Sequence, residues 1–152
     1  MDKILVKDVY NLHGNAAVRM NADIPLENAI GTLARNPSLR CVFLVDAQQR
    51  FTGIVTRVNL LRWALVNMTS GKGLHQIPVS EYYRIVDASK ARDLATDNLN
   101  AVSVKENDTI QSALEKMLAA EEDIVAVLDN EGRVLGDLSL SEVLDWVFHS
   151  SR

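Results

Sequence analysis

The sequence predicts an α/β fold made of two tandem β-α-β-β-α units packed as a pseudo-twofold pair. Three observations carry that expectation. The stretch GIVTRVNLLRW, Gly53 to Trp63, is echoed by GDLSLSEVLDW, Gly136 to Trp146, and both the glycines and the tryptophans stand 83 positions apart. Asp46 and Asp129 keep that offset, whereas Leu26, Ala29 and Leu33 match Ile110, Ala113 and Met117 at 84, so the second copy has lost one residue between helix and strand. Further upstream, Asp8-Val9 matches Asp93-Leu94 at 85. A fixed internal period marks a repeated structural unit. The expected division is residues 1–66 for the first repeat, 67–88 for a linker and 89–152 for the second repeat.

Each unit opens with a short extended piece, AAVRM or NAVSV. A helix follows in each: Leu26, Ala29, Ile30 and Leu33 recur at helical spacing, as do Ile110, Ala113, Leu114, Met117 and Leu118. Pro25 lies near the start of the first helix, where proline is tolerated. Asp108, with Gln111 three residues on, is expected to cap the second. The runs CVFLVD and IVAVLD come next; an apolar run without alternation indicates a strand covered on both faces. The turns AQQR and NEGR lead to the strands FTGIV and VLGDL, and each repeat then closes with a helix. Neither unit alone buries much apolar surface, and two packed together do. The connector NMTSGKGLHQIPVSEYYRIVDAS reads as a long loop with a short helix around Ser80 to Arg84.

Composition narrows the function. With 47% apolar and 24% charged residues, the 152-residue chain has material for one core or two tightly packed halves. A net charge of −4 argues against a nucleic-acid partner. No apolar run is long enough to span a membrane, and the start MDKILVKDVY lacks a secretory signal pattern. A cytoplasmic location is therefore expected. The single cysteine, Cys41, lies in an apolar run and reads as a buried, inert thiol.

The order β-α-β-β-α, the strand ending in aspartate, and Gly-x-x-Thr-x-x-Asn in GIVTRVNLL resemble the cystathionine β-synthase (CBS) domain, which usually occurs as tandem pairs. The resemblance covers nearly the whole chain except the linker. It implies two clefts between the repeats, able to hold AMP, ADP, ATP or S-adenosylmethionine as a regulatory ligand, assembly into a homodimer, and control of some other protein rather than catalysis. Within the motif it implies that the hydroxyl and carboxylate positions hold the ribose and that basic neighbours take phosphates. It also implies that backbone groups of the first extended piece and of the following strand, here Met20 and Val42, read the adenine.

The two copies of the motif are chemically unequal. In the first, Thr56 supplies the hydroxyl, and Asn59 stands where aspartate is usual, an acceptor without charge. Arg57 and Arg40 are the phosphate candidates. The alternative is that Thr56 only caps a helix and the arginines are solvated. In the second copy Ser139 keeps the hydroxyl, Glu142 carries its carboxylate one methylene further out, and Leu140 replaces the arginine. Asp137, Glu142 and Asp145 make the surroundings acidic, and Ser139-Leu-Ser-Glu142 is itself a capping box. A ligand is expected in the first cleft before the second.

The remaining features have plain readings. His13, His75 and His149 are far apart and predict no metal site. Ser70-Gly71-Lys72-Gly73 lacks phosphate-loop spacing and reads as a connector. Tyr82 and Tyr83 either cover a cleft or, the preferred reading, anchor the linker. The last helix of each repeat, carrying Trp63 or Trp146, is apolar on more than one face, which suits a core or a dimer interface. No catalytic constellation is visible. Two functions follow as expectations: a non-catalytic regulatory module that senses an adenosine-containing ligand and dimerises, or a dimerising interaction module whose clefts are empty.

Overall fold

The structure is a computed structural model that describes residues 3–11, 16–69, 77–96 and 98–150. His13, His75 and the Ser70–Gly73 stretch lie outside the described residues. The first repeat contains β1 (Ala17–Asn21), α1 (Leu26–Arg35), β2 (Cys41–Val45), β3 (Phe51–Thr56) and α2 (Arg57–Thr69). A connecting helix, α3 (Val79–Val86), precedes β4 (Ser103–Lys105), α4 (Ile110–Ala120), β5 (Ile124–Leu128), β6 (Val134–Ser139) and α5 (Leu140–Ser150). The expected β-α-β-β-α order is present twice. In each three-stranded sheet the middle strand pairs parallel with the first strand and antiparallel with the third.

β2 is buried along its whole length because it is covered on both sides. Val42 and Leu44 pack with Ala29 and Leu33 beneath α1. Cys41, Phe43 and Val45 face the other repeat, where they meet Ile124, Ala126 and Val134 together with Phe51 and Ile54. The core between the repeats is therefore sheet against sheet. Residues 83 apart meet across it: Arg40 pairs with Asp123, and Arg50 forms an isolated bridge with Arg133. The Phe51 N–H donates to the Gly132 carbonyl at 2.9 Å, and the Val134 N–H donates to the Gln49 carbonyl at 3.1 Å. Such reciprocal bonds between equivalent positions define the pseudo-twofold relation.

The segments that enter each repeat are exchanged. A short 3₁₀ turn, Val6–Asp8, lies on the second repeat: Val6 and Tyr10 pack with Val104, Ile110, Val125 and Leu138. The Ile110 N–H donates to the Ile4 carbonyl at 2.9 Å. Its counterpart, Ala91–Asp93, lies on the first repeat, where Ala91 and Ala95 join Ala29, Leu33 and Val55. Asp8 and Asp93 each accept from the backbone N–H three residues earlier, at 3.0 and 2.9 Å. The glycine repeated in the motif follows from this exchange. A side chain at Gly53 would come within 3.1 Å of Ala95, and one at Gly136 within 3.2 Å of the Tyr10 ring.

Two local details depart from expectation. The cap of α4 is Thr109, whose hydroxyl accepts from the Ser112 N–H at 3.1 Å. Asp108 cannot serve, because its carboxylate already closes the preceding turn on the Lys105 N–H at 2.8 Å. The connecting helix runs three residues longer than expected, and Tyr82 packs with Val66, Ile77, Ile85 and Leu94 while Tyr83 stays exposed. Tyr82 thus anchors the connector, and Tyr83 does not. Among the described residues no helix is long and apolar enough to cross a membrane.

Candidate functional site

Both motif turns carry the same hydrogen-bond device. β3 runs directly into α2, which leaves the first amides of the helix in need of acceptors. Asn59 Oδ1 accepts from the Thr56 N–H at 2.8 Å and from the Thr56 hydroxyl at 3.0 Å, and the Asn59 N–H donates back to Thr56 Oγ1 at 3.2 Å. In the second repeat Glu142 Oε1 accepts from the Ser139 N–H at 3.1 Å and from its hydroxyl at 3.3 Å, and the Glu142 N–H returns a bond to Ser139 Oγ at 3.3 Å. Each pair is a reciprocal capping box. The expected box at Ser139–Glu142 is present, and Thr56–Asn59 forms another. Thr56, Asn59 and Ser139 are all buried.

The first cleft opens into a cavity of about 810 Å³ whose wall comes from both repeats. Its apolar part is Val58 of α2, Leu114, Met117 and Leu118 of α4, and Leu140 of α5. Its charged part is Arg40 and Arg57 on one side and Glu121, Glu122 and Asp123 on the other. Glu122 is partly buried in this wall. Burial raises the pKa of its carboxyl, an effect opposed by the Thr56 hydroxyl and by Arg40 and Arg62. Arg40 is ion-paired with Asp123. Arg57 donates from Nε to the Leu39 carbonyl at 2.7 Å, and from one terminal nitrogen to the Leu33 and Asn36 carbonyls at 3.2 and 2.9 Å. It thereby holds the C-terminal end of α1, where free carbonyls attract a cation.

The second cleft differs. Glu142 Oε2 accepts from the Asn11 N–H at 2.8 Å and ties the motif to the exchanged entry segment. Beside it, Asp137 is 3% exposed, and among the described residues its Oδ1 has no hydrogen-bond partner. Its carboxyl is pushed up to about 6, first by burial and then by the neighbouring Glu142 carboxylate, with Arg19 and the Ala17 N–H pulling the other way. A cavity of about 480 Å³ nearby is bounded by Asn11, Glu142, Asp145, Trp146 and His149. Cys41, near Asp137 in the inter-repeat core, is a free, fully buried thiol whose pKa burial drives upward.

Of the residues singled out from sequence, Arg57 and Arg40 line the first cavity and Glu142 the second, whereas Thr56, Asn59 and Ser139 are buried in the motif turns beside them and line neither. Val42 and Met20 do not line the first cavity: Val42 is fully buried beneath α1, and Met20 packs beside it. Sequence reasoning missed Glu122 and Asp123. The signal was available in the offset, since Asp123 is 83 positions from Arg40 and occupies the same place in its repeat.

A family model for the CBS domain matches residues 6–66 and 91–149. Comparison with curated protein sequences gives no match. Solved structures share the fold along almost the whole chain. A CBS domain-containing protein from Thermotoga maritima superposes with a TM-score of 0.75 at 19% identity, over 98% of this chain and 97% of that one. CBSX2 in complex with AMP gives 0.70 at 17% identity, over 98% and 99%. The CBS domain pair of protein MJ0100, in complex with 5′-methylthioadenosine and S-adenosyl-L-methionine, gives 0.67 at 16% identity, over 99% and 100%. With both repeats matched by the family model and the pair architecture shared from end to end, this chain belongs to the CBS domain family as a tandem pair.

Proposed function

We propose that this chain is a non-catalytic, cytoplasmic regulatory module that binds an adenosine-containing small molecule in its first inter-repeat cleft and works as a homodimer on a partner protein. The observation that carries the reading is the 810 Å³ cavity beside Thr56–Asn59, walled by residues of both repeats. A ligand there touches Val58 and Leu140 at once and so favours one relative placement of the repeats, which is the differential affinity a sensor needs. The adenosine compounds held by structurally similar pairs support the ligand class. A dimer is supported by two exposed apolar rows: Leu61, Leu65 and Met68 on α2, and Leu144, Val147 and Phe148 on α5.

Those rows also favour the second reading, a dimerising interaction module with no ligand. A thermal-shift screen with AMP, ADP, ATP and S-adenosylmethionine separates the two. A ligand selective for the folded state raises the melting temperature by mass action. The sensor reading expects a rise with at least one adenosyl compound. No rise at millimolar concentration, with a dimer still present by light scattering, selects the interaction module.

A further inference from the structure

We propose that the first cleft selects an adenosine derivative whose 5′ end is neutral or cationic, a thioether or a sulfonium, over one ending in phosphate. The proposal rests on the sensor reading above and assigns its ligand chemistry. Three carboxylates, Glu121, Glu122 and Asp123, face two arginines across the cavity, and neither arginine is uncommitted. Arg40 is neutralised by Asp123. Arg57 is held by three backbone carbonyls at 2.7 to 3.2 Å, so turning it toward a phosphate strips the end of α1 of its cation. Glu122 lines the same wall as Leu140 and Asp123, so a ligand in the cavity has its carboxylate within reach. A phosphate at the 5′ position would bring like charge toward a half-buried carboxylate, where solvent screening is weak. A sulfonium or amine brings opposite charge to the same place. Leu118 and Leu140 offer an apolar seat for the methylene and methyl groups that such a 5′ end carries.

The test is calorimetric titration of the full chain at neutral pH and low salt with three probes: AMP, 5′-methylthioadenosine and S-adenosyl-L-methionine. The expected result is that S-adenosyl-L-methionine binds tightest and that both phosphate-free probes bind at least ~10-fold tighter than AMP. Glu122→Gln, close to isosteric, is expected to weaken S-adenosyl-L-methionine and strengthen AMP. Asp123→Asn, which frees Arg40, is expected to strengthen AMP as well. AMP binding as tightly as the other two overturns the ligand assignment while leaving the sensor intact. Binding of none of the three overturns both.

Discussion

Ile54 and Asp137 stand at the same place in the two repeats, 83 positions apart, each in the third strand and each facing the inter-repeat core. Ile54 is fully buried among Phe43, Phe51 and Ala126, and its backbone exchanges two hydrogen bonds with Thr96, at 3.1 and 2.9 Å. Asp137 is just as enclosed, forms the matching bridge with Asn11, and carries a carboxyl where its twin carries a branched alkyl group. Much of the surrounding architecture has kept its twofold match: the exchanged entry segments, the close-approach glycines, the capping boxes and the Asp46–Arg50 and Asp129–Arg133 turns. Backbone pairing and helix caps set the architecture, and they tolerate a change at a single interior side chain provided that charge can be removed by a proton. Asp137 can take that route, because its carboxyl titrates near 6.

The comparison breaks most severely if the second repeat's residue is moved into the first. Ile54→Asp places a carboxylate in a fully buried apolar cluster with Phe43, Phe51 and Ala126 and also removes a core side chain. The expected loss is at least about 3 kcal/mol, read as a drop in the urea midpoint or as failure to fold.

A change at Asp137 has a smaller effect that depends on pH. The folded state holds the proton of Asp137 up to about 6, against an ordinary value of 3.8. Its stabilising contribution is therefore complete below about pH 4 and lost as pH rises through 6. Asp137→Asn should raise stability at pH 7 by about 1–2 kcal/mol, discounted for the solvent that reaches Glu142 and Arg19, and should give no gain at pH 4. Denaturation curves at the two pH values decide it: an equal effect at both would mean that Asp137 does not titrate in this window.

The smallest difference lies in the turns. Gly132 adopts φ +82° in the second repeat with open space where a side chain would go, and its twin Gln49 adopts φ +65°. That backbone region disfavours residues bearing a Cβ. Gln49→Gly should raise stability by about 0.5–1 kcal/mol, part of the relief being offset by the greater freedom of glycine in the unfolded chain, and Gly132→Gln should cost a similar amount. Chevron or equilibrium data on the pair would show whether the two turns are energetically interchangeable.

Much of this was legible in the sequence because it is local or periodic. The offset of 83 located the repeats, the unbroken runs at Cys41–Val45 and Ile124–Leu128 identified the doubly covered strands, and the Ser139–Glu142 spacing gave the cap. What stayed hidden depends on tertiary register. Asp8 and Asp93 matched each other in sequence, yet nothing local says that each serves the opposite repeat. Arg57 reads as a free cation until the end of α1 is seen beneath it. Asp137 reads as one of several surface acids, since alternation within a strand cannot reveal that both faces of its sheet are covered. The acidic wall of the first cleft was missed for the same reason: Glu122 and Asp123 follow a helix end in sequence, and Asp123 meets Arg40 only after the repeats dock.

The exchanged entry segments also bear on synthesis. Val6 and Tyr10 leave the ribosome well before Val104, Ile110, Val125 and Leu138, which build the surface that buries them. At roughly 5–20 residues per second, the nascent chain carries them uncovered for on the order of ten seconds. The core beneath α1 is likewise incomplete until Ala91 and Ala95 have emerged. A chain stalled after its first repeat therefore presents apolar surface to chaperones and proteases, and quality control can distinguish it from the folded pair by that exposure alone.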